Sequence, residues 1–228
     1  MTKQPLPSKL LGFLLIITPL LTGALFLTLS TIFDTDVPTD ALLTYFHANQ
    51  STISSLFYIS ALVNIIHIVI VIGLHGLLAP KHAYVVICTV FGILYNLLFS
   101  IQNIQWRFLV THLAEVFVDP TSSPQLKETM IGIFDSSYAY LGFGIEGNLG
   151  LLLLFLWLLG IAIAVLRDTH FPKWLGVLGC ISTIMFLVNY LEFLGPQPPS
   201  IAIIGTIGNN LINIWQLLLG VFILRQKW

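Results

Sequence analysis

Six long apolar stretches, separated by short polar segments, dominate the sequence. They cover roughly residues 10–33, 53–79, 83–106, 145–166, 174–194 and 202–224. About twenty consecutive apolar residues form a helix long enough to cross the hydrocarbon of a bilayer. Only 8% of the 228 residues are charged, whereas soluble domains carry about 25% charged residues. The pattern therefore predicts an all-α polytopic membrane protein, in which residues 1–228 form a single domain with six transmembrane helices.

The basic residues indicate how these helices cross the membrane. With both termini in the cytoplasm, only Arg107 and Lys127 of the nine lysines and arginines lie outside, as the positive-inside rule requires. We therefore expect a plasma (inner) membrane protein whose N- and C-termini are both cytoplasmic. The first stretch should be retained, because its apolar core is longer than that of a typical signal peptide and no cleavage motif follows.

One short motif resembles a nucleotide-binding turn. Gly142, Gly144 and Gly147 match the G-x-G-x-x-G fingerprint, but that fingerprint requires a preceding strand and a βαβ unit. Here the glycines run directly into the fourth apolar stretch, so the match is a false positive. The same segment places Gly142 and Gly150 four residues before and after Glu146. Such a bare helix face permits either close helix packing or space for a ligand beside the carboxylate.

Polar residues recur at helical spacing inside the apolar stretches. An unpaired polar group in hydrocarbon costs several kcal/mol, so these stripes should face one another rather than lipid. Most of them lie in the outer half, which predicts a polar interior that opens outward and narrows toward the cytoplasm. The residues predicted to bind a ligand are Asn64, His67, Asn96, Asn103, Arg107, Glu146, Asn189, Glu192, Asn209, Asn213 and Gln216.

The ionisable members of this set leave alternatives open. Arg107 is placed to pair with either Glu146 or Glu192 at the outer end of the bundle. His67 fits a buried, hydrogen-bonded histidine as well as a metal ligand or a proton shuttle. It has no facing histidine at the same depth, which disfavours haem. We expect no metal and no cofactor, and the catalytic residues of any enzyme here are unknown.

Net charge and cysteine content limit the partners. The net charge of −1 gives no general attraction to nucleic acid. Cys88 and Cys180 both fall inside apolar stretches, which favours free thiols over a disulfide. The expected partners are membrane lipids and a small amphipathic ligand, and a homo-oligomer is possible.

The last third of the chain resembles a known family. The segment from 170 to 191 contains Phe171, Pro172, Lys173, Leu175 and Gly176, in the order found in a short loop of the integral-membrane family called domain of unknown function 4386. The final helix is similar to the closing helix of that family at Trp215, Leu217 and Gly220. The similarity is clearest over about residues 170–226. It implies a bacterial multi-pass membrane protein of about this length, and it implies no activity.

Three functions are compatible with these observations. The first is binding or transport of a small amphipathic molecule or lipid in the outward-facing polar interior. The second is a structural or assembly protein whose polar stripes hold the helices together. The third is a membrane enzyme that uses Glu146 or Glu192 with His67. Of these, we favour binding or transport, and we lean against an enzyme.

Overall fold

The computed structural model describes residues 8–35, 37–194 and 198–226. The described residues are helical or irregular and contain no strand. Six of the helices are long and apolar enough to cross a membrane, which confirms the predicted fold class. The single-domain organisation stays a prediction.

Seven helices follow one another along the chain. They are α1 (Ser8–Ile32), α2 (Thr39–Ala48), α3 (Gln50–Leu78), α4 (Val85–Val118), α5 (Pro124–Arg167), α6 (Lys173–Leu187) and α7 (Pro199–Arg225). A 3-10 turn over Val188–Leu194 continues α6. All except the short α2 are membrane-spanning candidates.

Two helices are much longer than the apolar stretches that predicted them. Helix α4 has 34 residues and α5 has 44, which correspond to about 50 and 65 Å of helix. The hydrocarbon core of a bilayer is only about 30 Å thick. The extra turns of both helices therefore project from the same end of the bundle, where α2 also lies.

The six long helices pack in a ring. Each packs against two neighbours, in the order α1, α3, α4, α5, α6, α7 and back to α1. The pair α1 and α7 is consequently opposite the pair α4 and α5. We call the end where α1 begins and α7 ends the basic end, because it carries Lys81, Arg167 and Arg225. The opposite end, which carries α2, is the cap end.

A continuous hydrophobic cluster fills the basic half of the ring. Every long helix contributes to it, including Leu15 of α1, Leu74 of α3, Leu158 of α5 and Trp215 of α7. Glycines bring the helices close together here. A Cβ atom added to Gly12 would lie 2.9 Å from the carbonyl oxygen of Gly220. Small residues allow this approach, which matters because lipid provides no hydrophobic force between helices.

A second hydrophobic cluster lies at the cap end. Trp106 is 1% exposed at its centre, stacked on Phe57 with ring centroids 4.6 Å apart and edge-on to Phe33 at 5.3 Å. Leu43 and Phe46 of α2 are fully buried against it. The cap therefore joins α2 to the projecting turns of α4 and α5.

A polar layer separates the two clusters. The buried polar side chains of this layer are Asn64, Asn96, Ser100 and Asn103. Along α3, Asn64 lies between Ile53 of the cap cluster and Ile70 of the basic cluster, and along α4 the other three lie between Cys88 and Trp106. The bundle is therefore apolar at the basic half, polar in its middle to outer part, and apolar again in the cap.

An ion-pair network closes the basic end. Asp168, whose side chain is 1% exposed, accepts a hydrogen bond from Lys81 Nζ at 2.8 Å and another from the His170 backbone N–H at 2.9 Å. Burial alone acts to raise the pKa of Asp168, but these bonds outweigh it and lower the pKa to about 2. The Gln226 side chain donates to the His170 carbonyl at 3.1 Å, so the end of α7 is held by the same loop.

Replacing Gly12 with alanine should destabilise the bundle by about 1–3 kcal/mol, because the new methyl group meets backbone across the α1–α7 contact. Gly23 on the same helix is the matched control, since nothing lies within 4 Å of its Cβ position. Gly23→Ala should be neutral or stabilising by up to about 1 kcal/mol. Melting temperatures in detergent measure both. Equal losses would contradict the packing described.

Replacing Asp168 with asparagine should lower stability at neutral pH by about 1–2 kcal/mol, since Lys81 loses its partner but is 41% exposed. The pKa of Asp168 in the folded protein lies below its ordinary value of 3.8, so the wild-type contribution is complete above about pH 5 and is lost as pH falls toward 2. The wild-type and variant melting temperatures should converge over that window. A difference that persists at pH 2 would contradict this assignment.

Candidate binding cleft

Helix α1 separates from α7 halfway along its length. Leu11, Leu15 and Pro19 are buried, whereas no residue from 20 to 32 is buried. Pro19 has no N–H to donate to the Leu15 carbonyl, which weakens the helix at this point. Beyond it, Leu29, Ile32 and Phe33 join the hydrophobic cluster at the cap.

The facing side of α7 shows the same change. Gly220 and Gln216 are buried, Asn213 is half-buried, and Asn209 and Thr206 are exposed. These residues follow one another at helical spacing on a single face. The contact between α1 and α7 therefore opens toward the cap end into a cleft whose α7 wall is polar. We call it the α1–α7 cleft.

The stripes on α3 and α4 form a seam instead. The side-chain N–H groups of Asn64, Asn96 and Asn103 each donate at 2.7 Å to the carbonyl four residues earlier. Between the helices, Ser100 Oγ donates to the Ala61 carbonyl at 3.2 Å, and Arg107 Nη1 donates to Ser54 Oγ at 2.8 Å. The seam thus satisfies these side chains largely within itself.

Helices α3 and α4 run antiparallel. Counting residues along both helices from the contacts Ser100–Ala61 and Arg107–Ser54 places His67 of α3 at the same depth in the bundle as Asn96 of α4. His67 lies on the same face of α3 as Asn64, which is three residues earlier. The Nε2 atom is buried, and no described residue forms a hydrogen bond with it. A buried ring nitrogen of this kind needs a partner.

The glycine-rich part of α5 is wound as a π-helix from Tyr138 to Gly150. Such winding is rare and is frequently found at functional sites. A Cβ added to Gly142 or Gly144 would meet nothing nearer than 3.5 Å, and that atom belongs to α5 itself. Close helix packing, one of the two interpretations open from sequence, therefore does not explain Gly142. It does fit Gly150, the other glycine on the face of Glu146, which is buried against Tyr95 of α4.

Glu146 lies in the middle of this π-helical segment. It is half-buried, and no hydrogen bond or ion pair joins it to a described residue. The Arg107–Glu146 pair, one of the two alternatives, is therefore not formed, because the guanidinium donates to Ser54. The other alternative, Arg107 with Glu192, involves a side chain outside the described residues. Tyr95 of α4 packs at Gly150, about one turn from Glu146 along α5. Glu146 thus stands on the α4–α5 side of the ring, opposite the α1–α7 cleft.

Three residues near this site were not predicted. Tyr190 Oη donates to Asn148 Oδ1 at 2.7 Å, which links the 3-10 turn after α6 to the π-helical segment. Tyr95 packs at Gly150, where an added Cβ would be 3.7 Å from its ring. Tyrosine hydroxyls in apolar helices were the available signal, because such groups need partners when buried.

The remaining predicted residues are distributed around the ring. Asn189 Nδ2 donates to the Gly205 carbonyl at 3.4 Å, between α6 and α7. Asn213 Nδ2 donates to the Asn209 carbonyl at 3.2 Å. The side chain of Glu192 lies outside the described residues. In the described part of the chain, no three His, Cys, Asp or Glu side chains converge as metal ligands.

Comparison with known proteins identifies the family. Residues 10–226, nearly the whole chain, match the family described as domain of unknown function (DUF4386). The chain belongs to the DUF4386 family. No curated protein and no solved structure matches it.

The residues that carry the DUF4386 resemblance are structural. Phe171 is 3% exposed in the hydrophobic cluster of the basic half, and Lys173 Nζ donates to the Leu166 carbonyl at the end of α5, 2.7 Å away. Trp215 fills the space beside Gly179, and Gly220 meets Gly12. These motifs therefore hold the basic end together, while the polar layer and the cleft lie elsewhere.

Proposed function

We propose that this DUF4386 protein binds a small amphipathic molecule or lipid, which reaches the polar layer sideways through the α1–α7 cleft. One observation carries the proposal. The polar face of α7 changes from buried at Gln216 to exposed at Asn209 as α1 moves away. Polar side chains in that position are costly if they meet only hydrocarbon. A ligand with its own polar group removes that cost.

The two walls of the cleft suit the two parts of an amphipathic molecule. On α7, the amides of Asn209 and Asn213 offer donors and acceptors to a polar headgroup. On α1, Leu20, Phe26 and Leu27 are 56%, 69% and 65% exposed and offer an apolar surface to a hydrocarbon chain. Transport of the same molecule is compatible with the cleft, but the packed basic half supports binding more directly.

A structural role has support of its own in a different part of the bundle. The hydrogen bonds of Ser100 with Ala61 and of Arg107 with Ser54 join α3 to α4. Bonds of this kind contribute about 0.6 kcal/mol each in membrane bundles. We therefore assign the α3–α4 seam to holding the helices together, and the α7 stripe to ligand binding. No observation on the described residues favours an enzyme over these two roles.

We also propose that the basic end lies in the cytoplasm of a plasma membrane, supported by its lysines and arginines. Gln125→Cys at the cap end and Ala83→Cys at the basic end are both exposed positions. A membrane-impermeant thiol reagent applied to intact cells should label the first and spare the second. The wild-type chain gives the background from Cys88 and Cys180. The reverse labelling would overturn this orientation.

The binding proposal predicts that the purified protein retains an amphipathic molecule. Native mass spectrometry after mild detergent extraction should show such a mass adduct on the wild type. Asn213→Leu should reduce its occupancy about fivefold, the effect of losing one hydrogen bond of about 1 kcal/mol.

Asn210→Leu is the matched control, because Asn210 is an exposed neighbour that lies off the stripe. Its occupancy should equal that of the wild type. A wild type with no adduct, or equal losses in the two variants, would overturn the proposal.

A further inference from the structure

The polar layer contains a carboxylate, that of Glu146, with no cationic side chain paired to it among the described residues. Among the described side chains, Glu146 is the only carboxylate between the two hydrophobic clusters. Arg107, the cation that the sequence analysis offered as its partner, is exposed and donates to Ser54. The Lys81 ammonium is at the basic end with Asp168. The charge of Glu146 is therefore not balanced by the described part of the protein.

A second group in the same layer lacks a hydrogen-bond partner. The Nε2 atom of His67 is buried and unpartnered among the described residues. A neutral imidazole offers one acceptor nitrogen, and a carboxylate offers only acceptors. Both groups therefore suit a ligand that brings N–H donors into the layer.

The depths of these groups agree. Two contacts between α4 and α5 relate the depths of their residues: Gly92 of α4 lies against Trp157, and Gly150 of α5 lies against Tyr95. Counting residues from these contacts places Glu146 about one helical turn nearer the cap end than Tyr95. Tyr95 and His67 are level, as counted from the contacts between α3 and α4. Leu11 of α1 contacts Gly73 of α3. Counting residues along α1 from this contact places Leu20 at about the same depth in the bundle as Glu146. Leu20 directly follows Pro19, where the cleft begins.

We propose that the headgroup taken up through the α1–α7 cleft is a cationic amine, and that Glu146 binds its ammonium group. The inference rests on the proposed function and names the chemical class of its ligand. An ammonium has three N–H donors for Glu146 and its neighbours. The aromatic face of Tyr95 adds a favourable surface for a cation beside the carboxylate. The π-helical winding and the open space at Gly142, one turn from Glu146 on the same face, leave room for the headgroup.

Two photoreactive probes test this chemistry. Hexadecylamine and hexadecanol, each with a diazirine at the same chain position, are added to the full-length protein in phosphatidylcholine nanodiscs. Crosslinked peptides are then quantified by mass spectrometry. The amine should label the cleft walls about tenfold more than the alcohol, because a charge-assisted hydrogen bond is stronger than a neutral one.

Glu146→Gln should reduce labelling by the amine to the level of the alcohol and leave labelling by the alcohol unchanged. Glu115→Gln is the matched control, since this acid is exposed in the cap and accepts a hydrogen bond from Gln50. It should label as the wild type does. The wild-type ratio of amine to alcohol remains a test even if Glu146→Gln fails to fold.

The possible failures are distinguishable. Equal labelling of the cleft by both probes, or amine labelling that survives Glu146→Gln, would overturn the amine headgroup and leave the binding proposal standing. If neither probe labels the cleft above the lipid-exposed faces of the other helices, the binding proposal itself fails.

Discussion

The close approach of α1 to α7 at Gly12 and Gly220 is the contact on which the arrangement of this bundle depends. Lipid tails are as apolar as the helix surfaces, so the helices associate where their backbones fit closely. Glycines provide that fit in the basic half, at Gly73, Gly92, Gly160, Gly179 and the pair above. Where these glycines end, α1 and α7 part. The last glycine contact thus marks where the cleft begins, just before Pro19. A glycine alone does not bring the helices together, since Gly23 of α1 has nothing within 4 Å of its Cβ position.

The two ends of the bundle are stabilised by different forces. At the basic end, the Lys81–Asp168 ion pair and the DUF4386 loop fix the helix connections. At the cap end, aromatic rings around Trp106 bury one another outside the length of helix that a membrane needs. With both ends closed in this way, the layer between them tolerates Glu146 and His67 Nε2, which have no hydrogen-bond partner among the described residues. Such groups cost free energy inside a membrane, and they are found at functional sites of membrane proteins.

Much of the fold could be predicted from the sequence, because long apolar stretches in a chain with few charges have one stable solution in a bilayer. The helical turns of α4 beyond residue 106 were missed, since those turns are amphipathic and their apolar face is covered only by α2 and the cap. The start of α5 was not missed: Ser123 and Pro124 predict a helix there, either lying on the membrane surface or extending the fourth span outward, and in the structure Ser123 caps α5. The family resemblance was recognised from Phe171 to Gly176 and at Trp215. Those residues pack the basic half of the bundle, so the family resemblance gave no information about the candidate binding cleft.

The candidate site was predictable only in part. Helical spacing identifies residues that share a face, but it does not reveal which neighbour that face meets. The stripes of α3 and α4 meet each other, whereas that of α7 meets a gap. The sequence also allowed Arg107 to pair with Glu146, because reach and depth both fit. The structure gives Arg107 a nearer partner in Ser54. The π-helical winding of Tyr138–Gly150 has no sequence signal beyond its glycines.

A density map of the protein in native lipid, at a resolution that shows ordered water, tests the central claim most directly. The claim is that the α1–α7 cleft holds an amphipathic molecule whose polar end reaches Glu146. Continuous elongated density from the exposed side of Phe26, past Asn213, to the carboxylate of Glu146 is the predicted result. Side chains that fill the space between α1 and α7, with no density other than protein, would contradict it.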